Sequence, residues 1–151
     1  MSRGAGYVAA QFVLMGAILF AVLAAPDWPA DGRELRFVAA AVLGVAGVAI
    51  CVAAGRVLGS GLTPYAKPVD GAPLAESGPY AVVRHPFYSG AMLLFTGWSL
   101  VAGPIALALT LGLAVLWMFK ARLEEAHLRL AYPAYAAYAE RVRWRFIPGI
   151  H

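Results

Sequence analysis

The sequence is short of charge. Only 13% of its 151 residues are Asp, Glu, Lys or Arg, where a soluble domain carries roughly 25%. Apolar residues make up 62% and the mean hydropathy is +0.72. That balance excludes an ordinary water-soluble domain and makes the bilayer the natural solvent. Cysteine is nearly absent too. The single Cys51 excludes an internal disulfide and a cysteine-rich metal site, and within its apolar stretch it reads as a small buried hydrophobe. Three histidines, His85, His127 and His151, are too few for a multi-histidine di-iron centre. At most, Glu124, Glu125 and His127 with His85 suggest a carboxylate–imidazole metal site. There is no HExxH and no Gly-x-Ser-x-Gly, and Gly59-Ser60-Gly61 lacks the third glycine and the preceding strand of a nucleotide-binding loop.

What the sequence has instead is long charge-free runs. Crossing the hydrocarbon as a helix takes about 20 apolar residues. Residues 7–25 and 37–55 carry no charge, nor do the 34 residues from Pro86 to Phe119. Gly103-Pro104 interrupts the last run and reads as a tight turn between two helices of an antiparallel hairpin. The pattern predicts an all-α integral membrane protein, a single domain over residues 1–151. It has about four transmembrane helices, at 6–25, 36–57, 86–102 and 104–122. The third is near the lower limit for spanning. The first run exceeds the about 7–15 residues of a secretory h-region, so it reads as a span rather than a leader.

Charge placement orients the spans. Ten of the 12 cations (Arg3, Arg56, Lys67, Arg84, Lys120, Arg122, Arg129, Arg141, Arg143 and Arg145) fall on one side, and only Arg33 and Arg36 on the other. By the positive-inside rule both termini, the 58–85 loop and the 123–151 tail are cytoplasmic. The net charge of +4 therefore reads as topology, with no nucleic-acid surface, because the cations cluster at the ends of apolar segments. After the fourth span the helical pattern continues as KARLEEAHLRLAY. Pro133 then opens a short helix, PAYAAYAERV, with Tyr135 and Tyr138 on one side and a composition suited to the membrane interface.

The hairpin brings polar groups together. Tyr80, Arg84, His85 and Tyr88 at the start of the third helix lie beside Lys120, Arg122, Glu124, Glu125 and His127 at the end of the fourth. Ionisable groups at membrane depth are functional candidates by default. Each also has a plainer reading. Arg84 can anchor to phosphates, and His85 can sit before Pro86, a favoured first helical residue, satisfying local backbone donors. Glu125–Arg129 and Lys120–Glu124 have the spacing of helix-surface pairs, worth about 0.2–0.5 kcal/mol each. Tyr135 and Tyr138 can form an interfacial belt.

Taken together, LTPYAKPVDGAPLAESGPYAVVRHPFYSG, RLEEAHLRLAYPAYAAYAERV and the terminal FIPG resemble the isoprenylcysteine carboxyl methyltransferase family, in a small bacterial-type form. That family is allied to the phospholipid N-methyltransferases. The resemblance covers residues 58–150 or so; the first two helices share only their apolarity. It implies an enzyme of the bacterial inner membrane that uses S-adenosyl-L-methionine at its cytoplasmic face. Carried over residue by residue, the cofactor is held by Leu74 and Ala75, Tyr80, His85 with Pro86 and Tyr88, and Glu124 with Glu125. The acceptor's carboxylate falls to Lys120, where the eukaryotic enzymes carry arginine, with Arg122 nearby; Arg84 is the third candidate catalytic residue, open between anchor and site.

The implied partners are membrane lipids and a lipophilic small-molecule acceptor entering from the bilayer. That acceptor is the carboxylate of a prenylcysteine-like compound, an amine headgroup, or a small lipophilic thiol or acid. Two alternatives stand beside this reading. One is an NADPH-dependent lipid or sterol reductase, with Arg141, Arg143 and Arg145 on the 2′-phosphate; the other is a non-enzymatic scaffold.

Overall fold

A computed structural model describes residues 4–23 and 27–150. Arg3, His151 and the end of the first predicted span lie outside those residues. The described chain is helical, with no strand: α1 (Ala5–Phe20), α2 (Arg33–Leu58), α3 (Pro86–Ala102), α4 (Pro104–Ala131) and α5 (Tyr135–Arg141). In hydrocarbon every backbone N–H and C=O must be satisfied within its own segment, so valine-rich α2 is helical despite the β-branched residues. Three helices are long and apolar enough to cross a membrane: Ala5–Leu23 with its closing 3₁₀ turn, Arg33–Gly61 likewise, and Pro104–Ala131. At 17 residues α3 is the short one, about 26 Å at 1.5 Å per residue.

The connections follow from local chemistry. Gly103 is the sole residue between α3 and α4. Its φ of 116° is open to glycine and strained for other residues, and Pro104 suits the first position of the next helix. At the same end, α2 starts at Arg33, earlier than the predicted 36. Arg36 Nη1 donates to the Asp31 carbonyl (2.7 Å) and Nη2 to the Pro29 carbonyl (2.5 Å), which ties the preceding loop to the first helical turn. α4 runs without a break to Ala131, as the sequence suggested. α5 begins at Tyr135 rather than Pro133, because Tyr132 to Tyr135 form a turn closed by Tyr135 N–H on the Tyr132 carbonyl (3.0 Å).

The principal pairs are antiparallel: α2 against α3, α1 against α4, and α3 against α4. Lipid tails are as apolar as leucine, so close backbone approach supplies much of the attraction between such helices. The α2–α3 seam illustrates this. A Cβ added at Gly47 would lie 2.5 Å from the Gly90 carbonyl oxygen, and one at Gly90 would lie 2.8 Å from both the Gly47 oxygen and Cys51 Sγ. Cys51 is thus a seam residue.

At the end opposite the long loop, Ser99 Oγ and Thr110 Oγ1 share a buried hydrogen bond of 2.9 Å between α3 and α4. At the other end the chain beyond α5 doubles back. Arg84 N–H donates to the Trp144 carbonyl and His85 N–H to the Arg145 carbonyl, both at 2.9 Å. Ser89 Oγ donates to the Phe146 carbonyl at 2.6 Å. The tail therefore lies along the start of α3, and this polar end carries the site.

Candidate active site

The GPYA stretch folds as a single 3₁₀ turn, Gly78–Ala81, which buries Tyr80. Tyr138 Oη donates to the Tyr80 carbonyl at 2.9 Å and so pins α5 to the turn. Burial pushes the Tyr138 hydroxyl up to about 12 and raises those of Tyr80 and Tyr135 as well. All three phenols are neutral hydrogen-bonding groups at ordinary pH. Tyr135 and Tyr138 are 1% and 2% exposed, so they pack inside the polar end and form no exterior belt.

The two adjacent glutamates point to different partners. Glu125 Oε1 accepts from Arg84 Nε (2.9 Å) and Arg145 Nε (3.1 Å), and Oε2 from Arg145 Nη2 (3.1 Å). His85 Nε2 lies 3.3 Å from the same carboxylate. Arg84 Nη1 also donates to the carbonyls of Val142 (2.7 Å) and Arg143 (2.8 Å). Glu125 and Arg84 are therefore the clasp that closes the tail over α3.

Glu124 instead accepts from Tyr88 Oη at 2.5 Å, with Lys120 Nζ and His85 Nδ1 each 3.6 Å away. Lys120 is 1% exposed. Its ammonium donates to Gln11 Oε1 at 2.8 Å, and Trp117 Nε1 donates to the same oxygen at 3.2 Å. The Tyr88 ring stacks on Trp117 (centroids 4.9 Å apart) and on His85 (5.7 Å).

These groups surround a cavity of about 620 Å³. Phe12 and Met15 of α1 and Trp117 are in its wall. Leu74, Ala75, Tyr80 and Tyr135 also wall it, as do Glu124, Lys120, His85, Tyr88 and Arg84. Most of the residues singled out in the sequence thus converge on one space. Three do not line it. Pro86 opens α3 behind the wall, Glu125 is enclosed in the clasp, and Arg122 is exposed with its guanidinium 5.6 Å from the Phe119 ring. His127 also stays within its own helix, donating from Nδ1 to the Leu123 carbonyl (2.8 Å). Among the described residues no group of three or more His, Cys, Asp or Glu is placed to hold a metal ion.

Sequence reasoning missed Gln11. It is the only carboxamide side chain in the protein, and one amide within an apolar span is itself a signal, since a polar group at membrane depth needs a partner. The clasp role of Arg145 and the indole of Trp117 carried no such mark. Chemically the cavity offers a carboxylate for a cation, stacked aromatic faces, and a buried ammonium for an anionic or oxygen-bearing group. A lysine this deeply buried is costly unless paired, and Gln11 and Glu124 supply the pairing.

The profile of the phospholipid methyltransferase family matches residues 35–135, two-thirds of the chain. The chain belongs to that family. The match takes in α2 almost entirely, the loop, α3 and α4. α1, with Gln11, and the tail, with Arg145, lie beyond it. The chain is also 37% identical over 70 residues to the cobalt-zinc-cadmium resistance protein CzcN of Cupriavidus metallidurans. That similarity spans 45% of this chain and 32% of the length of CzcN.

Proposed function

We propose that the protein is a membrane methyltransferase that transfers a methyl group from S-adenosyl-L-methionine to a lipophilic acceptor, in the manner of the isoprenylcysteine carboxyl methyltransferases. The observation that carries the reading is one cavity in which Glu124, Tyr88, His85 and Lys120 meet, with the apolar residues of α1 and the tyrosines around the GPY turn in its wall. The residues present fit the cofactor. Glu124 suits its ammonium, the Tyr88 and Trp117 faces suit a sulfonium, and the start of α3 at His85 and Pro86 favours a carboxylate through the helix dipole. Held by these residues, the donor would supply an electrophilic methyl group and a neutral thioether leaving group.

The protein's own part is to orient and to exclude water. Lys120, held by Gln11, is the group for the acceptor's anionic oxygen. A carboxylate acceptor, as in a prenylcysteine-like compound, needs no general base at neutral pH. Arg84 acts on the acceptor only indirectly, through the clasp. We place the site on the cytoplasmic face of a bacterial inner membrane, with the acceptor entering from the bilayer, on the strength of the ten-to-two bias of Lys and Arg. Of the arginines a reductase would use, Arg141 pairs with Glu76 and Arg145 with Glu125. Both are already engaged, which favours the methyl donor over a 2′-phosphate.

Titration calorimetry on detergent-purified protein should show S-adenosylhomocysteine binding. Glu124→Ala should weaken it about 10- to 100-fold, the range expected on losing a hydrogen bond to a charged group. Folded wild-type protein that binds NADPH and no S-adenosylhomocysteine would overturn the reading.

A further inference from the structure

Tyr135 and Tyr138 look alike in sequence and do different things. Both rings are buried and tilted against each other with centroids 5.7 Å apart, and both line the cavity. Tyr138 gives its hydroxyl proton to the Tyr80 carbonyl at 2.9 Å. The Tyr135 hydroxyl is buried with no hydrogen-bond partner among the described residues. An orphaned buried hydroxyl is uncommon, because leaving it unpaired forfeits the hydrogen bonds that water gave it. Shape does not require it either, since phenylalanine fills the same space.

The surroundings narrow what Tyr135 can serve. Leu74, Leu128 and Tyr132 pack against the cluster that Tyr135 forms with Tyr138 and Val142. Of the nearby charges Arg84, Glu125 and Arg129, the first two are engaged with each other and with the tail and Arg129 is exposed. The charged group suited to the donor's ammonium, Glu124, is paired with Tyr88 and Lys120, and Lys120 is joined to α1 through Gln11. The tyrosine part of the cavity is thus fitted to an uncharged, flat, hydrogen-bonding group. We infer that Tyr135 is a ligand-recognition residue: its hydroxyl hydrogen-bonds the nucleoside half of the methyl donor in a subsite shared with Leu74 and Tyr80. The inference rests on the functional reading above and adds to it a division of the cavity, nucleoside at the tyrosines and amino acid at Glu124.

Tyr135→Phe separates this role from a structural one. The variant should melt at the wild-type temperature or slightly above it, because it removes an unsatisfied group. It should bind both S-adenosylhomocysteine and free adenosine about five- to tenfold more weakly, the loss expected for one neutral hydrogen bond. Tyr138→Phe serves as the control and should lower the melting temperature. A lower melting temperature for Tyr135→Phe, as when the hydroxyl bonds a buried water, would overturn the inference. So would unchanged adenosine affinity, including the case in which only S-adenosylhomocysteine binding weakens. Wild-type protein that binds neither compound would bring down the functional reading and this inference together.

Discussion

The α2–α3 seam and the polar end of the same molecule are held together by opposite means. In the seam two backbones touch through glycines, with a Cβ at Gly47 or Gly90 meeting main-chain atoms of the facing helix at 2.5–2.8 Å. Few side chains there make a directional bond; Cys51 Sγ, donating to the Phe87 carbonyl at 3.5 Å, makes a weak one. At the polar end the buried charged side chains, Lys120 and Glu125, both have named partners, and the tail is tied down by Arg84, Glu125 and Arg145. The difference follows from the surroundings. Side chains in lipid gain little by leaving it, so contact must come from shape. Groups at the edge of water gain from charge-assisted bonds once they are shielded from it.

The comparison can be broken first at Glu125. Glu125→Ala leaves the half-buried Arg84 and the buried His85 without their anion, and truncating one partner of such a cluster costs about 3–5 kcal/mol. Thermal unfolding in detergent should show the loss, and the 142–150 tail should become sensitive to limited proteolysis. A melting temperature near wild type would mean that the clasp is not what holds the tail.

Next in size is the seam. Gly90→Ala inserts a methyl group against Cys51 and the Gly47 backbone, and overpacking of this kind costs about 1–3 kcal/mol. The same unfolding assay should register it, while S-adenosylhomocysteine affinity falls only as far as α3 shifts. An unperturbed protein would show that α2 and α3 can separate freely. The smallest effect sharpens the contrast within the membrane part. Thr110→Val removes the partner of Ser99 Oγ, which keeps its bond to the Phe95 carbonyl at 2.8 Å. Interhelical hydrogen bonds in membrane proteins average about 0.6 kcal/mol, so a shift of a few degrees or less in melting temperature is expected.

How much of this could be read in advance varies by residue. The helices were legible because a charge-free run of the right length in lipid has one backbone solution. Gly103-Pro104 marked the hairpin, and the hairpin placed Tyr88 opposite Glu124, a bond of 2.5 Å in the structure. The split between Glu124 and Glu125 was hidden, since neighbours on a helix face directions about 100° apart and only the position of the tail decides which one it covers. Gln11 was visible as a lone amide, but its partner lies 109 positions away. Tyr135 and Tyr138 have the same identity and share a helix face, and only tertiary packing gives one a partner and leaves the other without.

By itself, then, the sequence determined that this is a helical membrane protein with its chemistry gathered at one end. Hydropathy and charge act through solvent, which every segment meets separately, so these properties are local and legible. Only the tertiary structure decided which carboxylate faces the cavity, that α1 carries Lys120's partner, and that the tail closes over α3. Those outcomes depend on which long-range neighbour reaches a given group first, and no local pattern encodes that competition.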